Sequence, residues 1–176
     1  MEHEQFFKLM QQYVANIAIS GSTLRNQGAE GVTEAARDFL AELDLSRLKT
    51  IEPADYAKVL AEWTSDLVNG LPEGAQNWGT ARKAMNVFMV QVFMNKYLAG
   101  EYGLDRFGAV LETPLDSLAT KALRRHAGRG QLPRWEGIWQ LSQEDSQRYQ
   151  EFASQLAGEE NIPRACLDIM LWRVEV

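Results

Sequence analysis

Between Thr80 and Leu98 the chain reads Thr-Ala-Arg-Lys-Ala-Met-Asn-Val-Phe-Met-Val-Gln-Val-Phe-Met-Asn-Lys-Tyr-Leu, with apolar residues on almost every side of a helical wheel. A helix that is apolar all round must be surrounded by other elements. One long, central, buried helix over 80–98 is therefore expected, wrapped by the rest of the chain. No stretch alternates apolar and polar residues for long enough to demand a strand. Together these constraints predict an all-α orthogonal multi-helix bundle of roughly seven to nine helices. With 176 residues, 45% of them apolar, the chain can bury one substantial core, as a single domain over 1–176 or as two small lobes.

The wrapping helices are marked by period and punctuation. Phe6, Met10, Tyr13 and Ile17 mark one face of a first helix, widened by Phe7 and Val14, and Ser20-Gly21-Ser22-Thr23 stops it. Thr33 is placed to cap a second helix carrying Ala36, Phe39, Leu40 and Leu43. Pro53 suits the first turn of a third, with Tyr56, Leu60, Trp63 and Leu67 inward and Gly70 to Gly74 as its stop. Gly100 and Gly103 close the central helix. Asp116 opens a later helix, Ser142 starts another with Tyr149, Phe152 and Leu156 inward, and Pro163 opens the last.

Composition removes several classes of function. The single cysteine, Cys166, excludes an internal disulfide and a cysteine-ligated zinc or iron–sulfur site. His3 and His126 are too few and too distant to suggest a metal centre, and no residue pattern calls for a cofactor. The opening Met-Glu-His-Glu-Gln lacks a basic region followed by an apolar one, and Gln91, Asn95 and Lys96 interrupt the longest apolar run. A soluble, cytoplasmic protein is expected.

A net charge of −6 opposes nucleic acid at first sight, because phosphate contacts need Lys and Arg. The distribution weakens that objection. Residues 78–135 hold nine Lys/Arg against four Asp/Glu, and both flanking segments are acidic. No acidic residue occurs from Ser117 to Trp135, where Lys121, Arg124, Arg125, Arg129 and Arg134 fall. The segment reads as a phosphate-facing patch or as an ordinary solvated basic face.

Inside that basic segment lie a lysine and an aspartate suited to covalent chemistry. A lysine amine can attack an electrophilic carbon and hold it as a Schiff base, and a carboxylate beside it can take the proton. Lys83 stands in Gly79-Thr80-Ala81-Arg82-Lys83-Ala84-Met85-Asn86, and Asp116 in Thr113-Pro114-Leu115-Asp116-Ser117. Asp116 also reads as a helix N-cap, worth roughly 1 kcal/mol. About 33 positions separate the pair.

These two runs resemble the catalytic segments of the helix-hairpin-helix (HhH-GPD) DNA glycosylases, the superfamily that includes endonuclease III. Asn77-Trp78-Gly79 stands where that family has its Gly-x-Gly hairpin, over a hairpin region of about 66–98. Residues 17–27, with Ser22, Arg25, Asn26 and Gln27, resemble the family's early loop, which enters the space left by an extruded base. The resemblance implies a DNA glycosylase, with or without AP lyase activity, that removes a damaged or modified base. Lys83 and Asp116 would be catalytic, and the partner would be double-stranded DNA with a flipped base. Ser22, Arg25, Asn26, Gln27, Trp78, Gly79, Thr80, Arg82, Lys121, Arg124, Arg125, Arg129 and Arg134 would be its DNA contacts. The alternatives are a non-catalytic helix-hairpin-helix DNA-binding module and an all-α protein-interaction domain.

Overall fold

The computed structural model describes residues 3–24, 27 and 29–173. Among these residues the protein is all-α, with eight α-helices and no strand. The helices are α1 (His3–Ala18), α2 (Val32–Ala41), α3 (Tyr56–Gly70), α4 (Trp78–Met94), α5 (Lys96–Tyr102), α6 (Ser117–Ala127), α7 (Gln143–Glu159) and α8 (Leu167–Arg173). Short 3-10 turns fill several connections, including Leu104–Phe107, Ile138–Gln140 and Arg164–Cys166. No helix among the described residues is long and apolar enough to cross a membrane.

The expected central helix is α4. Met85, Phe88, Met89 and Val92 are essentially inaccessible, and Ala81 and Ala84 let neighbouring helices approach closely. It stops at Met94, four residues earlier than its apolar pattern suggests. Asn95 is the reason: it caps the end of α4, and its side-chain oxygen accepts from the N–H groups of Tyr97 and Leu98 at 3.1 Å each, starting α5. A single asparagine thus ends one helix and opens the next.

α1 corrects the expected face. Its buried residues are Gln11, Val14, Ala15 and Ala18, while Tyr13 is 61% exposed and Ile17 47% exposed. Gln11 turns inward because its amide donates to the carbonyls of Leu40 at 2.9 Å and Leu43 at 2.8 Å, at and just beyond the C-terminal end of α2. Hydrophobic period alone could not foresee a glutamine satisfying another helix's end. The start of α2 also differs, since Gly31, in the left-handed region, occupies the cap position instead of Thr33. The inward residues of α3 and the starts of α6 and α7 agree with the sequence reading.

The buried apolar residues form two clusters. The larger joins α1 to α5, and the smaller joins Leu115, Ala119, Ala122 and Leu123 to Tyr149, Ala153, Leu156, Leu167 and Leu171 of α7 and α8. Helix α4 serves both, because Trp78 at its N-terminus packs on the smaller cluster while the rest lies in the larger. The seam between the clusters is where the chemistry-bearing residues meet.

Candidate active site

Lys83 is half-buried on the second turn of α4, and Asp116 is the N-cap of α6. Both cap bonds of Asp116, from the N–H groups of Leu118 and Ala119 at 2.9 Å, end on Oδ1, so Oδ2 has no part in the cap. The N-cap reading and a role toward Lys83 are therefore compatible. Two arginine clamps bring this distant residue to α4.

The first clamp is Arg82, the neighbour of Lys83. Its guanidinium grips Glu112 in bidentate fashion, Nε to Oε2 at 2.9 Å and Nη2 to Oε1 at 2.8 Å, and donates through Nη1 to Thr64 at 2.9 Å. Asn86, one turn on, donates to the same carboxylate at 2.8 Å. Glu112 lies four residues before Asp116. The second clamp is Arg164, which donates to the carbonyls of Val110, Leu111 (2.9 Å) and Gln150 (3.3 Å). Gln150 in turn brackets Thr113, accepting from its N–H at 3.0 Å and donating to its carbonyl at 2.7 Å. Non-helical backbone over 110–116 is thereby tied down by side chains in place of helical bonds. Arg164 also stands four residues before Asp168, so the same clamp delivers α8 to the site.

Asp168 is the third ionisable group here, and the sequence reading missed it. Its signal was a lone carboxylate inside the apolar run Ala165-Cys166-Leu167-Asp168-Ile169-Met170-Leu171. Burial holds the proton affinity of Lys83 below that of an ordinary lysine, although the charges of Asp116 and Asp168 both pull it back up. Burial, and then the charge of Asp116, push the Asp168 carboxyl from 3.8 up to about 7, against the pull of Lys83. Among the described residues no ion pair joins Lys83 to either carboxylate at 4.0 Å or less. The three groups thus share one field without collapsing into a contact pair. Desolvation outweighs the two anions, so Lys83 gives up its proton more readily than a lysine in water.

Folding raises the Asp168 pKa, which has a direct consequence for stability. Between 3.8 and about 7 the folded chain keeps a proton that the unfolded chain has released. That contribution is complete at low pH and is lost as pH rises through about 7. Asp168→Asn should therefore stabilise the protein by ~2 kcal/mol at pH 8, discounted for its coupling to Lys83, and by little at pH 4. Urea unfolding at both pH values checks this, and an equal effect at both would contradict a buried, proton-holding carboxyl.

The early loop touches α4 through Gln27. The Thr80 hydroxyl donates to Gln27 Oε1 at 2.8 Å, and Thr80 precedes Lys83 by three residues, which puts both on one helix face. Ser22 is exposed in a turn held by Ser20 and Thr23. Arg25 and Asn26 lie outside the described residues.

Three of the expected DNA contacts are corrected. Arg82 is 9% exposed and committed to Glu112 and Thr64, so it holds the site together and does not reach phosphate. Thr80 is buried and bonded to Gln27 and Asn77. Gly79 is buried because the Ile138 carbonyl rests on it: a Cβ there would lie 2.0 Å from that oxygen and 3.2 Å from Leu141 Cβ. Its glycine serves packing, and the start of α4 is covered by the chain around 138–141. Trp78 is half-buried, with the Arg82 guanidinium 5.4 Å over its ring. Lys121, Arg124, Arg125, Arg129 and Arg134 are all exposed, along α6 and the loop that returns to α4.

Among the described residues no group of three or more His, Cys, Asp or Glu is placed to hold a metal ion. No family model matches the chain, and neither a curated protein nor a solved structure matches it.

Proposed function

We propose that this protein is a DNA glycosylase of the helix-hairpin-helix type with an accompanying lyase step, acting through Lys83. The observation that carries the reading is the convergence of three ionisable groups from three separate helices. A half-buried amine of lowered proton affinity on α4 shares its field with Asp116 of the α6 cap and Asp168 of α8. Gln27 of the early loop meets the same face of α4. An exposed basic edge follows from Lys121 to Arg134.

Base removal starts from a nucleotide extruded from the duplex, at a cost of a few kcal/mol. The neutral Lys83 amine uses its lone pair to bond C1′ of the sugar as the C1′–N bond to the base breaks, and the base leaves with that electron pair. The new ammonium sheds its proton to a carboxylate, which passes it to the departing base. Asp168, with a pKa of about 7, is poised to take and return a proton near neutral pH. Asp116 also stabilises positive charge growing on the sugar. The nitrogen lone pair then opens the sugar ring, the ring oxygen taking the C1′–O electrons and a proton, and an imine results. Removal of a C2′ proton expels the 3′ phosphate.

The test is a panel of duplexes carrying oxidised, alkylated or hypermodified bases, together with a natural abasic site, incubated with borohydride. Hydride addition to the imine carbon leaves a covalent protein–DNA adduct. Adduct on the abasic duplex and on at least one modified duplex is expected. DNA binding with no adduct anywhere would instead describe a non-catalytic binding module, and absence of salt-sensitive DNA binding would leave an interaction domain.

The basic edge carries its own expectation. Arg124→Ala and Arg129→Ala should weaken binding to every duplex alike and flatten the dependence of log K on log salt by about 0.9 for each phosphate no longer neutralised. Titrations between low and moderate salt read this. Unchanged slopes in both variants would make the edge an ordinary solvated face.

A further inference from the structure

We propose that Trp139 is a stacking platform for an unpaired nucleobase at the mouth of the Lys83 site, an inference that rests on the glycosylase reading. The turn Ile138–Gln140 is docked on the N-terminal end of α4 by two specific contacts. The Ile138 carbonyl sits against Gly79 where no side chain larger than hydrogen fits, and the Asn77 amide donates to the Trp139 carbonyl at 2.9 Å. Asn77 is itself held as the cap of α4, accepting from Thr80 N–H at 3.0 Å. The turn closes on itself through Gln140 N–H to Gly137 O and Leu141 N–H to Ile138 O. The backbone of Trp139 is thus fixed to the scaffold.

Its position relative to the chemistry follows from helix geometry. Gly79 precedes Lys83 by four residues, so the two lie one above the other on one face of α4. A helical side chain leans over the turn N-terminal to its own Cα, which directs Lys83 toward the level of Gly79 and Thr80. That level carries Gln27 on Thr80 and the Ile138–Gln140 turn on Gly79. The Trp139 backbone is therefore anchored at the N-terminal end of the helix face that carries Lys83.

The side chain itself remains 43% exposed. The other tryptophans with described side chains are engaged: Trp63 is 3% exposed, Trp78 is covered by Arg82, and Trp135 meets Tyr149 edge-on at 6.4 Å. Among the described residues no aromatic or cationic partner lies over the Trp139 ring. Holding a large apolar ring partly in water on a rigid backbone gains nothing for the core. It preorganises a flat π-surface beside a basic edge, and a nucleobase is the planar partner that such a combination selects.

The experiment compares Trp139→Leu with Trp139→Phe on two single-stranded probes of equal length. One is a dT oligonucleotide, and the other carries tetrahydrofuran abasic residues, with the same phosphates and no bases. Stacking predicts that Trp139→Leu weakens dT binding by about ten- to hundredfold, spares the base-free strand, and is largely rescued by Trp139→Phe. Equal loss on both strands, or no loss on either, overturns the proposal. Thermal unfolding of each variant reports the fold, and a lowered melting temperature in Trp139→Leu together with equal weakening on both probes would assign Trp139 to packing. Borohydride capture of the abasic duplex by the wild-type chain is scored separately, so failure of the lyase reading leaves a different signature from failure of stacking.

Discussion

Lys83→Ala should abolish borohydride-stable adduct formation on an abasic duplex while leaving DNA affinity within several-fold. In the proposed reaction the amine is the atom that bonds C1′, so its removal leaves nothing to form the imine. Binding should survive because the proposal assigns the phosphate contacts to the exposed cations of 121–134. The companion variants separate chemistry from structure at Asp116. Asparagine keeps an N-cap oxygen for the N–H groups of Leu118 and Ala119, so Asp116→Asn should cost only a few tenths of a kcal/mol in stability. It removes the charge, however, and should slow adduct formation by about 10²–10⁴-fold. Asp116→Ala should show the same slowing and lose about 1 kcal/mol besides. Undiminished adduct from Lys83→Ala would dismiss Lys83 as the nucleophile, and full-rate adduct from Asp116→Asn would reduce Asp116 to a cap.

The second large effect lies away from the reacting atoms. Glu112→Ala should destabilise the fold by about 3–5 kcal/mol, because it strands the nearly inaccessible Arg82 guanidinium without its counter-charge. Asn86 loses its acceptor at the same time, and its own side-chain oxygen is already buried without a partner. For a chain of this length each kcal/mol moves the melting temperature by about 2–4 °C, so a fall of roughly 10 °C is expected. A double variant, Arg82→Met with Glu112→Leu, should recover much of that loss, because apolar residues of similar volume avoid the desolvation cost of the pair. It should recover little adduct formation, since the backbone over 110–116 would no longer be held to α4 beside Lys83. A loss below about 1 kcal/mol for Glu112→Ala, the range of an exposed pair, would mean that the clamp does not secure this segment.

The groove between α3 and α7 illustrates the same division of labour. Its cavity of about 590 Å³ has Arg82, Glu112 and Arg164 among its lining residues, which makes it look like a polar binding site. Those groups are occupied by one another and by backbone carbonyls. Their office is to hold the segment that carries Asp116.

Much of this organisation is legible in the sequence because it depends on local rules. An apolar run from Thr80 made α4 the central helix, Asp116 and Ser142 announced helix starts, and Gly70 ended α3, while Pro53 opened a short 3-10 turn ahead of that helix's start at Tyr56. Period and capping act over one or two turns, and a sequence displays them directly. The Lys83–Asp116 pair was legible as two motifs on different helices, although nothing local joins residues so far apart.

What the tertiary structure alone decided is which polar groups face inward and what they hold. Arg82 read as a DNA contact and became a buried clamp; Gly79 read as a hairpin residue and became a seat for a carbonyl; Asp168 went unremarked within a short apolar run. Each outcome depends on a partner far away in the chain: Glu112 for Arg82, Ile138 for Gly79, Lys83 and Asp116 for Asp168. The physical reason is that desolvation and hydrogen-bond satisfaction are properties of an enclosure. A side chain's charge and proton affinity are settled only when every wall around it is in place.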